Sequence, residues 1–182
     1  MGGLKNTKKK LNHTLMFLLD ILNGNNIKNW FIGYGTLLGI VRENSCIEGD
    51  DDIDIICDMK DYDKINEIMS NNNFEFDFER PSIANCSSDK SKKILKTRST
   101  NTYSTIDFYM ASIDEKGNFN DEWEHVIWSE CYNENNELVK YIWNEHIIYF
   151  PFNYETKLIN RYGNEWRTPQ KTKGPFPIKK IL

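Results

Sequence analysis

The segment Gly49-Asp50-Asp51-Asp52-Ile53-Asp54-Ile55 (GDDDIDI, residues 49–55) crowds four carboxylates into five positions and threads isoleucine through the end of the run. Residues i and i+2 of a β-strand point to the same face. A strand over residues 52–57 (DIDIIC) therefore sets Asp52 and Asp54 on one side, with Asp50 in line, and Ile53 and Ile55 on the other. Two carboxylates about 4 Å apart repel by roughly 1 kcal/mol in water and about 4 kcal/mol at an effective dielectric of 20. A fold that gathers them usually holds a cation there, and oxygen ligands without nearby Cys or His select hard ions, Mg²⁺ or Mn²⁺. A solvated acidic turn is the ordinary reading of an acid run, but the interleaved isoleucines tie this one to a strand. An EF-hand loop fails: Asp50, Asp52 and Asp54 fit its positions 1, 3 and 5, yet Ile55 stands where Gly is needed and Asp61 where Glu is usual.

Upstream, Gly33-Tyr34-Gly35-Thr36-Leu37-Leu38-Gly39 leaves a predicted strand (28–34) and enters a short apolar helix, TLLGIVR. Gly35 lets backbone N–H groups approach an anion, Thr36 can cap the helix and offer a hydroxyl, and a helix N-terminus favours negative charge. Alone, such a turn is more often only a turn. Arg42, on the same helix, either clamps a phosphate or solvates the helix end. Downstream, Asp107 lies in Thr105-Ile106-Asp107-Phe108-Tyr109. An acid inside an apolar strand is costly unless paired or metal-bound, which makes it the candidate third ligand beside Asp52 and Asp54. Asp114 and Asp121 sit in turn-like sequence and read as structural.

The rest of the chain is predicted as α+β, one domain over residues 1–182. The 182 residues suit one substantial core, and 39% hydrophobic residues exclude disorder. A net charge of −4 argues against a nucleic-acid partner, which would call for an excess of Lys and Arg. Leu11, Leu15, Leu18, Leu19 and Leu22 recur at helical spacing, giving a helix over 8–23 stopped by Gly24. A helix is expected at 61–71, a half-buried strand through Phe74, Phe76 and Phe78, and a mobile loop at 81–92. A hairpin follows from 93–98 and 102–110, then irregular surface chain at 111–137, a strand at 145–150, a helix at 153–162, and a partly loose tail at 168–182. Cys46, Cys57, Cys86 and Cys131 form no CxxC pair, so a zinc site is not expected, and scattered thiols fit a reducing compartment. No segment approaches the about 20 apolar residues of a membrane span, and Leu15–Leu19 is interrupted by Asp20 without a cleavage site, so a cytoplasmic location is expected.

The string YGTLLGIVRENSCIEGDDDIDI resembles the signature of the LicD/fukutin family: GTLLG, two residues, Arg, a short loop, then an Asp-rich run ending Asp-x-Asp. "IDFY" is similar to the family's Asp-bearing strand, and FPFNYETKLINRYGNEWRTP resembles its closing block. Three blocks in the family's order, over about residues 27–170, make the resemblance specific. It implies a nucleotidyltransferase-like mixed β-sheet flanked by helices, and transfer of a phospho-alcohol group (phosphocholine or polyol phosphate) from a CDP-linked donor to a glycan hydroxyl. On the matching positions it implies donor-phosphate contacts from Gly35 and Thr36, and Asp52, Asp54 and Asp107 as catalytic metal ligands for one or two ions. The residue before the acid run is usually aromatic in the family; here Glu48-Gly49 stands there. His13, His125 and His146 have no supporting cluster, and Tyr162, Gly163 and Trp166 read as a packing cap. Two other readings share the acid pair: a nucleotidyltransferase moving NMP to a small acceptor, and a nucleotide-binding module without turnover. A sugar-nucleotide glycosyltransferase also uses Asp-x-Asp, but would leave the Gly-Thr turn and the closing block unexplained.

Overall fold

The structure, a computed structural model, describes residues 7–77, 93–169 and 180–182. Its centre is a parallel pair of strands, β2 (Asp52–Asp58) and β4 (Thr105–Ile113), in register from Asp52↔Thr105 to Asp58↔Ala111. Alternation fixes what each face carries. Ile53, Ile55 and Cys57 stand beside Ile106, Phe108 and Met110 on one face, and all six are fully buried. The other face carries Asp52, Asp54 and Ile56 beside Thr105, Asp107 and Tyr109.

Parallel strands need a long crossover. Here it includes a 3-10 turn (Met59–Asp61) and helix α3 (Tyr62–Asn71), which buries Tyr62, Ile65 and Met69. β1 (Trp30–Ile32) pairs antiparallel with the outer edge of β2. The other edge of β4 is shared end to end. β3 (Ile94–Lys96) pairs with residues 107–109, and β5 (Phe119–Asp121) with residues 111–113. β6 (Val126–Trp128) and β9 (Lys180–Ile181) complete a seven-stranded mixed sheet. A separate hairpin, β7 (Val139–Trp143) and β8 (His146–Phe150), contacts β1 and the first helix.

Helix α1 (Thr7–Gly24) buries the leucine stripe read from the sequence, together with Thr14 and Ile21. Helix α2 (Tyr34–Glu43) follows β1 directly, and α4 (Tyr154–Tyr162) follows β8. Trp166, beyond α4, is buried in the core. The fold is α+β, a mixed sheet flanked by helices.

Four expectations need correction. The segment 111–137 is not irregular: β4 runs on to Ile113, and β5 and β6 follow as three-residue strands with Phe119, Asp121, Val126 and Trp128 buried. The Phe74–Phe78 strand reduces to one antiparallel bridge, Phe76↔Thr97, although Phe74 and Phe76 are both buried; Phe78 lies outside the described residues. The end of the tail is pinned, since β9 pairs parallel with β6 and Ile181 is fully buried. Thr36 does not cap α2: the cap position is Gly33, and Thr36 lies inside the first turn. The 81–92 loop lies outside the described residues, as does Cys86. Among the described residues Cys46, Cys57 and Cys131 are buried free thiols, and no helix is long and apolar enough to cross a membrane.

Candidate active site

The polar face of β2 and β4 meets the N-terminal turn of α2, and Asp54 is the centre of the junction. Its backbone and side chain are both tied to that turn. The Gly33 N–H donates to the Asp54 carbonyl (3.0 Å), the Gly35 N–H donates to Asp54 Oδ2 (3.0 Å), and the Asp54 N–H donates to Thr36 Oγ1 (2.9 Å). The Tyr109 hydroxyl donates to Asp54 Oδ1 at 3.3 Å. The pair Gly35 and Thr36, picked out in the sequence for phosphates, therefore also fixes the aim of the acid.

A side chain at Gly35 would displace the Asp50 carboxylate. A Cβ there would lie 2.7 Å from Asp50 Oδ2 and 3.5 Å from Asp54 Oδ2. Those two distances also place Asp50 and Asp54 on the same side of the turn. Asp107 is the register partner of Asp54 across the parallel ladder. Lys96, the register partner of Asp107 across β3 and β4, donates from Nζ to Asp107 Oδ2, and Nζ lies 3.7 Å from Asp52 Oδ2. The fold thus draws Asp50, Asp52, Asp54 and Asp107 together from β2, its approach and β4. Further out, Asp50, Asp51 and Asp52 each offer a carboxylate oxygen within 4.8 Å of one another.

Arg42 sits elsewhere on α2. Its Nε and Nη2 both donate to Glu43 Oε1, at 3.0 and 2.6 Å. This places the guanidinium in an ion pair at the end of the helix remote from Gly35.

The electrostatics of the cluster follow from its burial. Asp54 is only 6% exposed. Burial, and then the charges of Asp52, Asp107 and Asp50, hold its carboxyl well above the usual carboxylate range, against the pull of the Gly35 N–H. The Tyr109 hydroxyl is raised by burial and then by Asp54, and the Tyr162 hydroxyl likewise by burial and then by Asp54. Tyr162 therefore borders the site as well as closing α4. Cys46, near Asp50, is pushed up to about 12, chiefly by burial, which keeps it a neutral thiol. The donor set is thus made of carboxylate oxygens crowded so that ionising one opposes the others. Oxygen donors of this kind suit a hard divalent ion; among the described residues the three whose oxygens already lie within 4.8 Å of one another are Asp50, Asp51 and Asp52, with Asp54 and Asp107 beside them.

Behind the turn lies a second polar unit absent from the sequence reading. Tyr34 opens α2 at φ +40, a left-handed backbone rarely taken by a residue with a side chain. Its hydroxyl donates to buried Asp121 Oδ2 (2.6 Å), and the Arg161 guanidinium lies over its ring at 5.0 Å. Asp121 Oδ1 in turn accepts from the Trp123 and Glu124 N–H groups at 2.9 and 3.1 Å. Asp121 is thus structural, as its sequence context suggested, and what it holds is the residue beside Gly35.

Glu48-Gly49 also has a local role. Glu48 accepts from the Thr7 and Lys8 N–H groups at the start of α1 (3.3 and 3.2 Å), where the helix dipole favours an acid. The Gly49 N–H donates back to Thr7 Oγ1 at 2.8 Å, and Gly49 takes φ +87. This reciprocal clasp anchors the loop immediately before the acid run.

Of the residues the sequence reading missed, Tyr109 had a readable signal, since it stands two positions beyond Asp107 on the same face of one strand. Lys96 did not, because its place opposite Asp107 depends on a cross-strand register. Tyr34 and Tyr162 stood in the quoted blocks, but their roles depend on tertiary placement, Tyr34 through Asp121 and Arg161 and Tyr162 beside Asp54.

A family model described as LicD/FKTN/FKRP, nucleotidyltransferase domain, matches residues 26–177. Among solved structures, a similar chain is the lincosamide antibiotic adenylyltransferase LnuA in its lincomycin-bound crystal structure. It shares 14% identity, with 76% of this chain and 78% of that chain covered, at a TM-score of 0.48. No curated protein matches the chain.

Proposed function

The chain belongs to the LicD/FKTN/FKRP nucleotidyltransferase-domain family, and from that premise we propose that it transfers a phospho-alcohol group from a CDP-linked donor to a glycan hydroxyl, releasing CMP. Membership suggests a phosphotransferase or nucleotidyltransferase activity; the donor, the acceptor and the dependence on a divalent ion are our own reading. The observation that carries it is the alignment of Asp54 with Asp107 across the β2–β4 ladder, facing the first turn of α2.

In this reading Asp52, Asp54 and Asp107 hold Mg²⁺ or Mn²⁺. The bound ion would neutralise charge on the phosphoryl oxygens and on the departing phosphate. The first turn of α2, with Gly35 and Thr36, lies toward the donor phosphates and favours their charge through the helix dipole. Arg42 would join them only by leaving Glu43. The acceptor oxygen would form the new bond to the distal phosphorus as the bond to CMP breaks, and Asp107 would either share the ion or take the hydroxyl proton. Tyr109 orients Asp54 through its hydroxyl.

The test is a donor screen with CTP, CDP-choline, CDP-ribitol and CDP-glycerol, followed by product analysis. CMP release with a phosphorylated acceptor supports the reading, whereas NMP found on the acceptor selects nucleotidyl transfer. Asp54→Ala or Asp52→Ala should lower turnover by at least about 100-fold. Turnover at the wild-type rate by either folded variant in Mg²⁺ removes the metal assignment.

A further inference from the structure

Lys96 is the group at this site that neither the acid motif nor the family signature singles out. It comes from β3, an element outside the parallel pair, and its position is fixed by register. Lys96 is opposite Asp107, and Asp107 is beside Asp54, so the three residues form one row across three adjacent strands. Residues paired in register share a face of the sheet. The Lys96 side chain is 12% exposed, its Nζ bonds Asp107 Oδ2, and the same nitrogen lies 3.7 Å from Asp52 Oδ2. A lysine so enclosed, with its charged end between two carboxylates of an acid cluster, is a cation built into the sheet.

We propose that Lys96 is a resident cation at the Asp52–Asp107 side of the cluster, standing in for a second divalent ion, so that each chain holds one ion and not two. The proposal rests on the metal reading above and deepens it. The ammonium takes up the Oδ2 side of Asp52 and Asp107, which excludes a second ion there and leaves only their remaining oxygens to join Asp54 at one ion. Asp54, whose oxygens face Gly35 and Tyr109, is left as the centre of the single ion site. Lys96 is a positioning residue here: it holds Asp107 and Asp52 apart from a second ion, through a positive charge that a neutral side chain lacks.

The experiment counts bound Mn²⁺ per full-length chain by equilibrium dialysis, with free ion read by electron paramagnetic resonance. Wild type, Lys96→Met, Lys96→Gln and Lys96→Arg are compared, each checked for folding by circular dichroism. Wild type and Lys96→Arg are expected to bind one ion. The two neutral variants are expected to gain a second, and to bind the first at least about tenfold more tightly, since a nearby positive charge has been removed. Two ions on the wild type, or one ion at unchanged affinity on the folded neutral variants, would overturn the role of Lys96 and leave the metal reading standing. No ion on the wild type would overturn the metal reading itself. Two substitutions of different shape keep the comparison open if one of them does not fold.

Discussion

The two faces of the β2–β4 pair are built from the same fourteen-residue ladder and do opposite work. On one face Ile53, Ile55, Ile106, Phe108 and Met110 are fully buried. On the other, within one strand spacing, Asp52, Asp54 and Asp107 share an acid cluster with Lys96. The first face stabilises the fold by removing apolar surface from water. The second opposes folding, since like charges are gathered and partly desolvated. The difference teaches that the site is possible because its backbone is fixed from behind: the apolar face supplies the stability that the acid face draws upon.

The largest expected effect on stability is therefore on the silent face. Phe108→Ala should cost about 3–5 kcal/mol in chemical denaturation, through lost burial and the cavity left behind. Asp54→Asn, one register position away along the ladder on the other face, should cost nothing at neutral pH without metal and should stabilise. If both variants destabilise alike, the division of labour between the faces is wrong.

Gly35→Ala sharpens the comparison at the junction with α2. Its methyl would meet Asp50 Oδ2 at 2.7 Å, so Asp50 or the turn must shift. The clash is with the end of a side chain and the alanine favours the helix, so the expected loss in denaturation is no more than about 1 kcal/mol, and the effect appears as weaker Mn²⁺ binding in a titration, because the shift falls on the acids. Unchanged ion affinity in that variant would separate the turn from the site.

A pH series isolates the electrostatic part. The Asp54 carboxyl is raised above its ordinary 3.8, by burial first and by Asp52, Asp107 and Asp50 next. The folded state therefore holds its proton at pH values where the unfolded state has released it. The associated stability is fully present below the unfolded value and is lost as pH rises through the folded one. The thermal midpoint of the metal-free wild type should rise relative to Asp54→Asn as pH falls from neutral toward the ordinary carboxylate value of 3.8; parallel curves would remove Asp54 as the strained group. The smallest effect on the site belongs to Glu48→Ala, which should cost about 1 kcal/mol by freeing the first amides of α1. Its measure is the denaturation midpoint, with ion binding little changed.

The same contrast explains what the sequence disclosed. β2 and β4 were legible because strict alternation at a half-polar, half-apolar sheet writes itself into every second residue, and Asp107 stood out as the one acid between Ile106 and Phe108. The leucine stripe of α1 was legible for the equivalent reason at helical period. β5 and β6 are three residues each, too short for a period to register. β7 has an exposed centre, Lys140, Tyr141 and Ile142, and so shows no alternation. It is defined by pairing with β8 around Asn144 and Glu145, both at positive φ (45 and 69), a turn without the glycine that usually announces it. Lys96 was hidden because its meaning lies in a cross-strand register, and Tyr34 because its conformation is held by Asp121, far along the chain.

The central claim, that Asp54 anchors a divalent ion among Asp52 and Asp107, is tested most directly by a thermal titration of wild type and Asp54→Asn with Mg²⁺. A ligand that binds only the folded state stabilises it by about 2.7 kcal/mol at a hundred times its dissociation constant. The wild-type midpoint should climb with Mg²⁺ and climb more steeply at higher pH, while Asp54→Asn stays flat. A wild-type midpoint that does not move, or an Asp54→Asn midpoint that climbs equally, would contradict it.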